Sequence, residues 1–369
     1  MTDELRGLVE HESPTGDVAR LDALAGVLTA QWEQIGATVT RHEVAGTGAH
    51  LEMWWPGPPG TPPAADPVLF VGHYDTVHDV GTLDRNPWRI DAQGLAWGPG
   101  TQDMKSGLVI ARNALAALND LGRPLARGVR ALITADEEIG SLTSAELIRE
   151  RGRASAYALV FEASRSDGAL KTARKGVGLW SVAVRGRAAH AGQQFFDGVN
   201  ANVALAGLLL DIAALSDRDA GTTVNVGTMH GGTRSNVVAE HARAAIDVRF
   251  TDDAEADRVA AALAALRSPL DVAITVDGGV NRPAMQRTAA TASLFARARA
   301  CAGALGFDLA ESAAGGASDG NLIAAEGTAT LDGLGGVGAG LHTDQEFVEV
   351  ASLPQRAALL TALLASETP

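Results

Sequence analysis

The chain has almost no cysteine. Cys301 is the only one in 369 residues, so no disulfide can form within the chain, which suits a reducing compartment. It also lacks a basic block: 30 Lys and Arg stand against 44 Asp and Glu, for a formal net charge of −14. A protein that grips phosphate backbones or anionic lipid wants a basic face, so neither nucleic acid nor a membrane is an expected partner. No apolar run is long enough to span a bilayer. The opening MTDELRGLVEHES is charged and lacks the basic-then-apolar order of a signal peptide. No internal repeat recurs. These absences point to a cytoplasmic enzyme or binding protein. A hydrophobic share of 46% gives such a chain a large core, enough for two domains.

What is present is an alternation of apolar strands and helices. Residues 2–36 read as helix broken at Ser13-Pro14-Thr15-Gly16, and 38–44 and 50–55 as strands. A Pro/Gly-rich loop over 56–67 follows. Then come strand 67–72, helix 105–121 closed by Gly122 and Pro124, strand 129–134, helix 142–151 and strand 157–161. Continuous apolar strands separated by helices argue for an α/β fold, a mostly parallel sheet covered on both faces. From Gly178 the pattern changes. Strand 179–184, helix 199–215, strands 222–228 and 242–250, helix 253–266 and strand 272–276 give β-α-β-β-α-β, the ferredoxin-like split-βαβ order. Glycines flank this stretch at 176, 178, 278 and 279. The expected organisation is therefore a discontinuous larger domain, 1–175 and 284–369, with a smaller α+β domain inserted at 176–283.

The ionisable residues of metal-ligand type fall at one kind of place. His73 and Asp75 follow the strand ending at Gly72, Asp136-Glu137-Glu138 follow the strand ending at Thr134, and Glu162 follows the strand ending at Phe161. Asp103 precedes the helix that starts near Lys105. In an open α/β sheet these positions converge beyond the carboxyl ends of the strands. Crowded carboxylates repel unless a cation neutralises them, and a mixed His/carboxylate set suits zinc or a similar divalent ion. Taken alone, His73-x-Asp75 reads more readily as a strand-end histidine hydrogen-bonded to Asp75. The recurrence at successive strand ends is what favours a site. Glu137 and Glu138, on extended chain, would point apart, so that one can bind metal while the other does not.

Nine segments, in order, then carry a resemblance: HYDTVHDVGTL, GPGTQDMKSG, DEEIGS, VFEAS, RGRAAHAG, GGTRSNVV, IDVRF, GGASDGN and GLHTDQEFV. They resemble the motifs of the M20 metallopeptidase family, most nearly its glutamate carboxypeptidase branch, of the carboxypeptidase G type. The resemblance implies a zinc exopeptidase-like catalytic domain and two Zn2+ per subunit, with Co2+ or Mn2+ also accepted. By position, His73, Asp103 and Glu162 would bind one ion, and Asp103, Glu138 and His342 the other. Glu137 would be the general base, Asp75 would orient the His73 ring, and a cis peptide would follow Asp103. In the inserted domain, the resemblance makes His190 an oxyanion donor that reaches the partner subunit's site in a homodimer, assisted by Asn236. Arg249 would grip the free carboxylate of the substrate, with Arg282 a second candidate. Gly315 and Gly316 would let backbone approach the substrate. The implied substrate is a small peptide or N-acyl amino acid, cleaved to release an amino acid with a free α-carboxylate, glutamate or similar.

Other readings stay open. The same ligands serve N-acyl-amino-acid deacylases, deacetylases and dipeptidases. A non-catalytic metal-binding homologue would have to lack a ligand or the base, and none is missing. Gly333-Leu-Gly-Gly-Val-Gly338 fits the G-x-G-x-x-G pattern of an NAD-dependent oxidoreductase, but the sequence after it offers no helix to complete a nucleotide-binding half. It reads instead as a glycine loop leading to His342. His78 finds no place in the ligand set and is expected to be an exposed loop residue.

Overall fold

The computed structural model describes residues 1–62 and 66–367, so part of the Pro/Gly-rich loop expected at 56–67 lies outside the described residues. The chain divides into two compact units. One comprises Met1–Ala173, Arg287–Ala313 and Ser318 onward, and the other Arg174–Gln286 with Ala314–Ala317. Gly315 and Gly316 thus group with the second unit.

The first unit is built on a six-stranded mixed sheet. In spatial order its strands are Thr38–His42, His50–Trp55, Val129–Thr134, Val68–His73, Tyr157–Val160 and Thr330–Leu331. The last four run parallel, and the first two add an antiparallel pair at one edge. Val68–His73 is buried at every position because both faces of the sheet are covered. Side chains alternate along a strand. Val68 and Phe70 therefore enter one core with helices Ser106–Leu121, Ala289–Ala304 and Ser352–Ala365. Leu69 and Val71 enter a second core with helices Ala145–Arg153 and Asp319–Ala325. Each such buried side chain contributes roughly 1.5–3 kcal/mol, enough to hold a strand whose last residue is ionisable.

Register brings the strand ends into line. His73 pairs with Thr134, and Val71 with Val160. The loops after these three strands consequently leave the same edge of the sheet. Helix Ser106–Leu121 ends at Gly122, which adopts the left-handed conformation typical of a helix C-terminus. Its second residue, Gly107, lies against strand-end backbone: a Cβ there would stand 2.1 Å from the Phe161 carbonyl oxygen. The helix Asp319–Ala325, absent from the sequence reading, is capped by Ser318 in a capping box with Asn321. Short strands Leu170–Arg174 and Glu311–Ala314 also pair, again unforeseen.

The second unit is a four-stranded antiparallel sheet in the order Thr223–Gly231, His241–Phe250, Gly176–Arg185, Ala273–Arg282. Helices Ala201–Ala213 and Asp253–Ala264 cover one face, capped by the Asn200 and Asp252 side chains. This is the split-βαβ arrangement. Among the described residues, no helix is long and apolar enough to cross a membrane.

Candidate active site

His73 closes its strand with 1% of its surface exposed. Its Nδ1 faces Asp75, 3.0 Å from the backbone oxygen and 3.4 Å from Oδ1. A histidine whose Nδ1 is held this way turns Nε2 outward, and that atom lies 3.4 Å from Asp103 Oδ1 and 3.6 Å from Glu162 Oε1. Asp75 is fully buried and does more than orient the ring. Oδ1 accepts the Glu137 N–H at 3.3 Å, while Oδ2 accepts the Glu138 N–H at 3.3 Å and the Thr15 hydroxyl at 2.8 Å.

Glu137 and Glu138 do not sit on extended chain. They begin a single 3-10 turn, Glu137–Ile139, closed by Gly140 in the left-handed conformation. The preceding Asp136 imposes the turn: its buried carboxylate accepts the Thr143 and Ser144 backbone N–H groups and both hydroxyls. About three residues per turn still separate the two glutamate side chains by roughly 120°, so they diverge as an extended chain would have made them diverge.

Asp103 lies in the turn Thr101–Lys105 and is followed by a cis peptide to Met104. Its Oδ2 is 3.1 Å from His342 Nε2, and His342 Nε2 is 3.5 Å from Glu138 Oε2. His342 has a left-handed backbone, φ 61°, in a tight turn where Gly340 also has positive φ. A Cβ on Gly340 would meet the Gln345 carbonyl oxygen at 2.1 Å, so only glycine fits. The His342 side chain is half-exposed, unlike the other members of the group.

Two features were missed. His78 is not an exposed bystander: its side chain is 9% exposed, and Nε2 lies 2.7 Å from Glu346 Oε2. Glu346, with no exposed surface, also accepts the backbone N–H groups of Gly100, Gln102 and Asp103. The one signal in the sequence is its place four residues after His342, in the GLHTDQEFV segment. Lys105, equally buried, donates to the His11 carbonyl at 2.8 Å, and burial pushes its ammonium down to about 7.

The electrostatics show what this set demands. Donor atoms of His73, Asp103 and Glu138 lie within 4.8 Å of one another, as do those of His73, Glu137 and Glu162. Burial pushes His73 down, but the oxygens of Asp103, Asp75 and Glu162 more than offset it and hold the ring well above the histidine range. The bond to Asp103 likewise raises His342 to about 9, and burial raises Glu138 to about 8. Burial opposes ionisation of Asp103, yet the two imidazoles hold it far below the carboxylate range. Crowded carboxylates are drawing protons onto their neighbours, the same demand for positive charge that a divalent cation meets. Asp103 Oδ1 and Glu138 Oε1 are buried, and neither accepts a well-formed hydrogen bond. Two nitrogen and several oxygen donors with unsatisfied buried lone pairs fit zinc or a similar ion.

The remaining sequence candidates lie in the second unit. His190 is exposed, and its Nδ1 accepts the Gly192 and Gln193 N–H groups at 3.1 and 3.2 Å, so a neutral ring carries its proton on Nε2. Asn236 lies alongside, its carbonyl oxygen accepting the Ala191 N–H at 3.1 Å. Arg249 forms a two-pronged pair with Asp247, at 2.7 and 2.8 Å. Arg282 is buried at the end of its strand. A Cβ on Gly315 or Gly316 would meet nothing within 4 Å among the described residues, and the Gly316 carbonyl accepts an N–H of the Arg174 guanidinium at 2.9 Å.

The model for peptidase family M20/M25/M40 matches residues 69–366. The chain belongs to that family. It is 30% identical to carboxypeptidase G2 of Pseudomonas sp. (strain RS-16), over 98% of this chain and 87% of that protein. It is 29% identical to the succinyl-diaminopimelate desuccinylase of Thioalkalivibrio sulfidiphilus, over 81% of this chain and 83% of that protein. Among solved structures it resembles aminopeptidase PepT from Bacillus cereus, with a TM-score of 0.80 and 26% identity, covering 99% of this chain and 98% of that one. As an M20 peptidase the chain is a hydrolase of a metal-dependent family, and its His/carboxylate cluster is a candidate metal site.

Proposed function

We propose that this M20 peptidase is a dinuclear zinc carboxypeptidase. It cleaves an amide bond to release an amino acid with a free α-carboxylate, glutamate or one like it. The observation that carries the reading is the convergence of His73, Asp103, Glu138 and His342 through contacts of 3.1–3.5 Å, with Glu162 3.6 Å from His73. His73, Asp103 and Glu162 would hold one ion and Asp103, Glu138 and His342 the other. Co2+ or Mn2+ would suit the same donors. Bound there, such ions supply Lewis acidity, polarising the scissile carbonyl and acidifying water.

The chain's own residues do the rest. Glu137 takes the proton of the attacking water and delivers it to the nitrogen of the leaving amine. Asp75 keeps Glu137 in place through its backbone N–H and fixes the His73 ring. His190, with Nε2–H available, donates to the oxyanion developing in the partner subunit's site, with Asn236 beside it. Arg249 binds the substrate carboxylate in exchange for Asp247, a like-for-like swap of one bidentate carboxylate for another. Arg282, Gly315 and Gly316 complete the substrate contacts.

The second unit, as lid and dimerisation domain, makes the protein a homodimer. Support comes from Val203 and Leu210, 60% and 75% exposed on helix Ala201–Ala213, and from Phe196, 95% exposed. The cytoplasm is the compartment this reading implies.

A second reading is an N-acyl-amino-acid deacylase, favoured by the likeness to a desuccinylase. A hydrolysis screen of C-terminal-glutamate peptides, N-acyl amino acids and dipeptides on Zn2+-loaded enzyme separates the two. Preference for C-terminal glutamate supports the carboxypeptidase, and activity confined to succinylated or acetylated diamino acids overturns it.

A further inference from the structure

Glu346 lies in none of the ligand positions, yet three ligand-bearing segments meet on it. Oε1 accepts the N–H groups of Gln102 and Asp103 at 2.8 and 2.9 Å. Oε2 accepts the N–H of Gly100 at 2.8 Å and faces His78 Nε2 at 2.7 Å. A carboxylate offers about four lone-pair sites, and here all four are taken, with no exposed surface left for water. Its main chain adds to the join. The Glu346 N–H donates to the Thr343 carbonyl within the His342 turn, and its carbonyl accepts the Gly98 N–H.

We propose that Glu346, with His78, is the positioning residue of the site. It sets Asp103 against His342 by locking the 100–103 backbone to the 342–346 turn and to the segment that follows His73. The inference rests on the metal reading above and deepens it.

The geometry argues for a role beyond generic packing. Asp103 lies between His73 and His342, at 3.4 and 3.1 Å. Its own N–H is fixed by Glu346, so the backbone from which the carboxylate projects cannot turn. His342 is half-exposed, and its turn needs an internal anchor to present Nε2 to Asp103. Glu346 provides it four residues on. Glutamine is the informative replacement: it preserves shape, but its NH2 would face the N–H of Gly100 or those of Gln102 and Asp103, and at least one of the four bonds is lost.

The test is a Co2+ titration of the metal-stripped full chain, followed by the visible absorption of the bound ion, on wild type, Glu346→Gln and His78→Asn. Near-ultraviolet circular dichroism checks folding in parallel. We expect Glu346→Gln to bind Co2+ at least tenfold more weakly, with an altered absorption envelope, because ligand-supporting contacts typically contribute this much. His78→Asn removes one contact in four and should shift both readouts the same way by less. It carries the test if Glu346→Gln does not fold. Folded variants that match wild type in affinity and spectrum would overturn the positioning role alone. A wild type that takes up no Co2+ would overturn the metal reading, and the inference with it.

Discussion

The carboxylate of Asp75 accepts the backbone N–H groups of both Glu137 and Glu138, each at 3.3 Å, while its Oδ1 stands 3.4 Å from His73 Nδ1. One buried side chain thus fixes the His73 ring and the turn that carries Glu137 and Glu138. Asp75→Asn would place an NH2 group against an N–H donor. Metal affinity is expected to fall by about 10–100-fold, measured by competition with a chelator, with the protein still folded.

Glu137→Gln tests the proposed proton transfer. Loss of a positioned general base lowers kcat by roughly 10²–10⁴-fold. Metal content, read by atomic emission, should stay at the wild-type value. Turnover that survives would remove Glu137 from the role of base.

Gly107→Ala tests the close approach of helix to strand. The new Cβ would stand 2.1 Å from the Phe161 carbonyl, next to Glu162. Neither backbone can yield without moving the other, so overpacking of about 1–3 kcal/mol or more is expected. A lower midpoint in urea unfolding is the readout.

Glu52 gives a pH prediction remote from the site. Burial raises its carboxyl, but Arg151, His42 and Arg130, at 2.7–3.0 Å, outweigh burial and hold it below its ordinary value. A depressed carboxyl contributes stability above its unfolded pKa and loses it as pH falls through the folded one. Glu52→Gln should therefore be about 1–3 kcal/mol less stable than wild type at pH 7. The gap should close as pH drops below 4.5, the ordinary carboxyl value. Unfolding curves at pH 7 and at lower pH measure it, and a gap independent of pH would refute the assignment.

The combined substitution Val203→Glu and Leu210→Glu charges the exposed face of helix Ala201–Ala213. If that face joins two subunits, sedimentation velocity will show a monomer where wild type is a dimer. An unchanged sedimentation coefficient would place the interface elsewhere.

The strands that carry the site were legible because their signal is local. Val68–His73 and Val129–Thr134 are short apolar runs with ionisable residues at their ends. The order of elements in the second unit was legible for the same reason, since its strands alternate and its helices begin at Asn200 and Asp252. The helix Asp319–Ala325 was not, because seven residues beginning Asp-Gly-Asn offer little helical pattern, and its stability comes from a capping box and burial against the sheet. Nor was the 3-10 turn at Glu137, which depends on Asp136 reaching forward to Thr143 and Ser144.

The sequence by itself determined which side chains can carry the chemistry and on which strand ends they ride, because apolar periodicity and the covalent order of residues are local properties. Tertiary structure alone decided which buried carboxylates meet backbone N–H groups and which keep an oxygen without a hydrogen bond. Asp75, Asp103, Glu138 and Glu346 are alike as residues. They differ only in what faces them: backbone N–H groups around Asp75 and Glu346, and unpaired oxygens beside histidine at Asp103 and Glu138. That difference arises from contacts made 60 to more than 240 positions apart in the chain, such as Asp75 with Glu137 and Gly100 with Glu346, which no local pattern encodes.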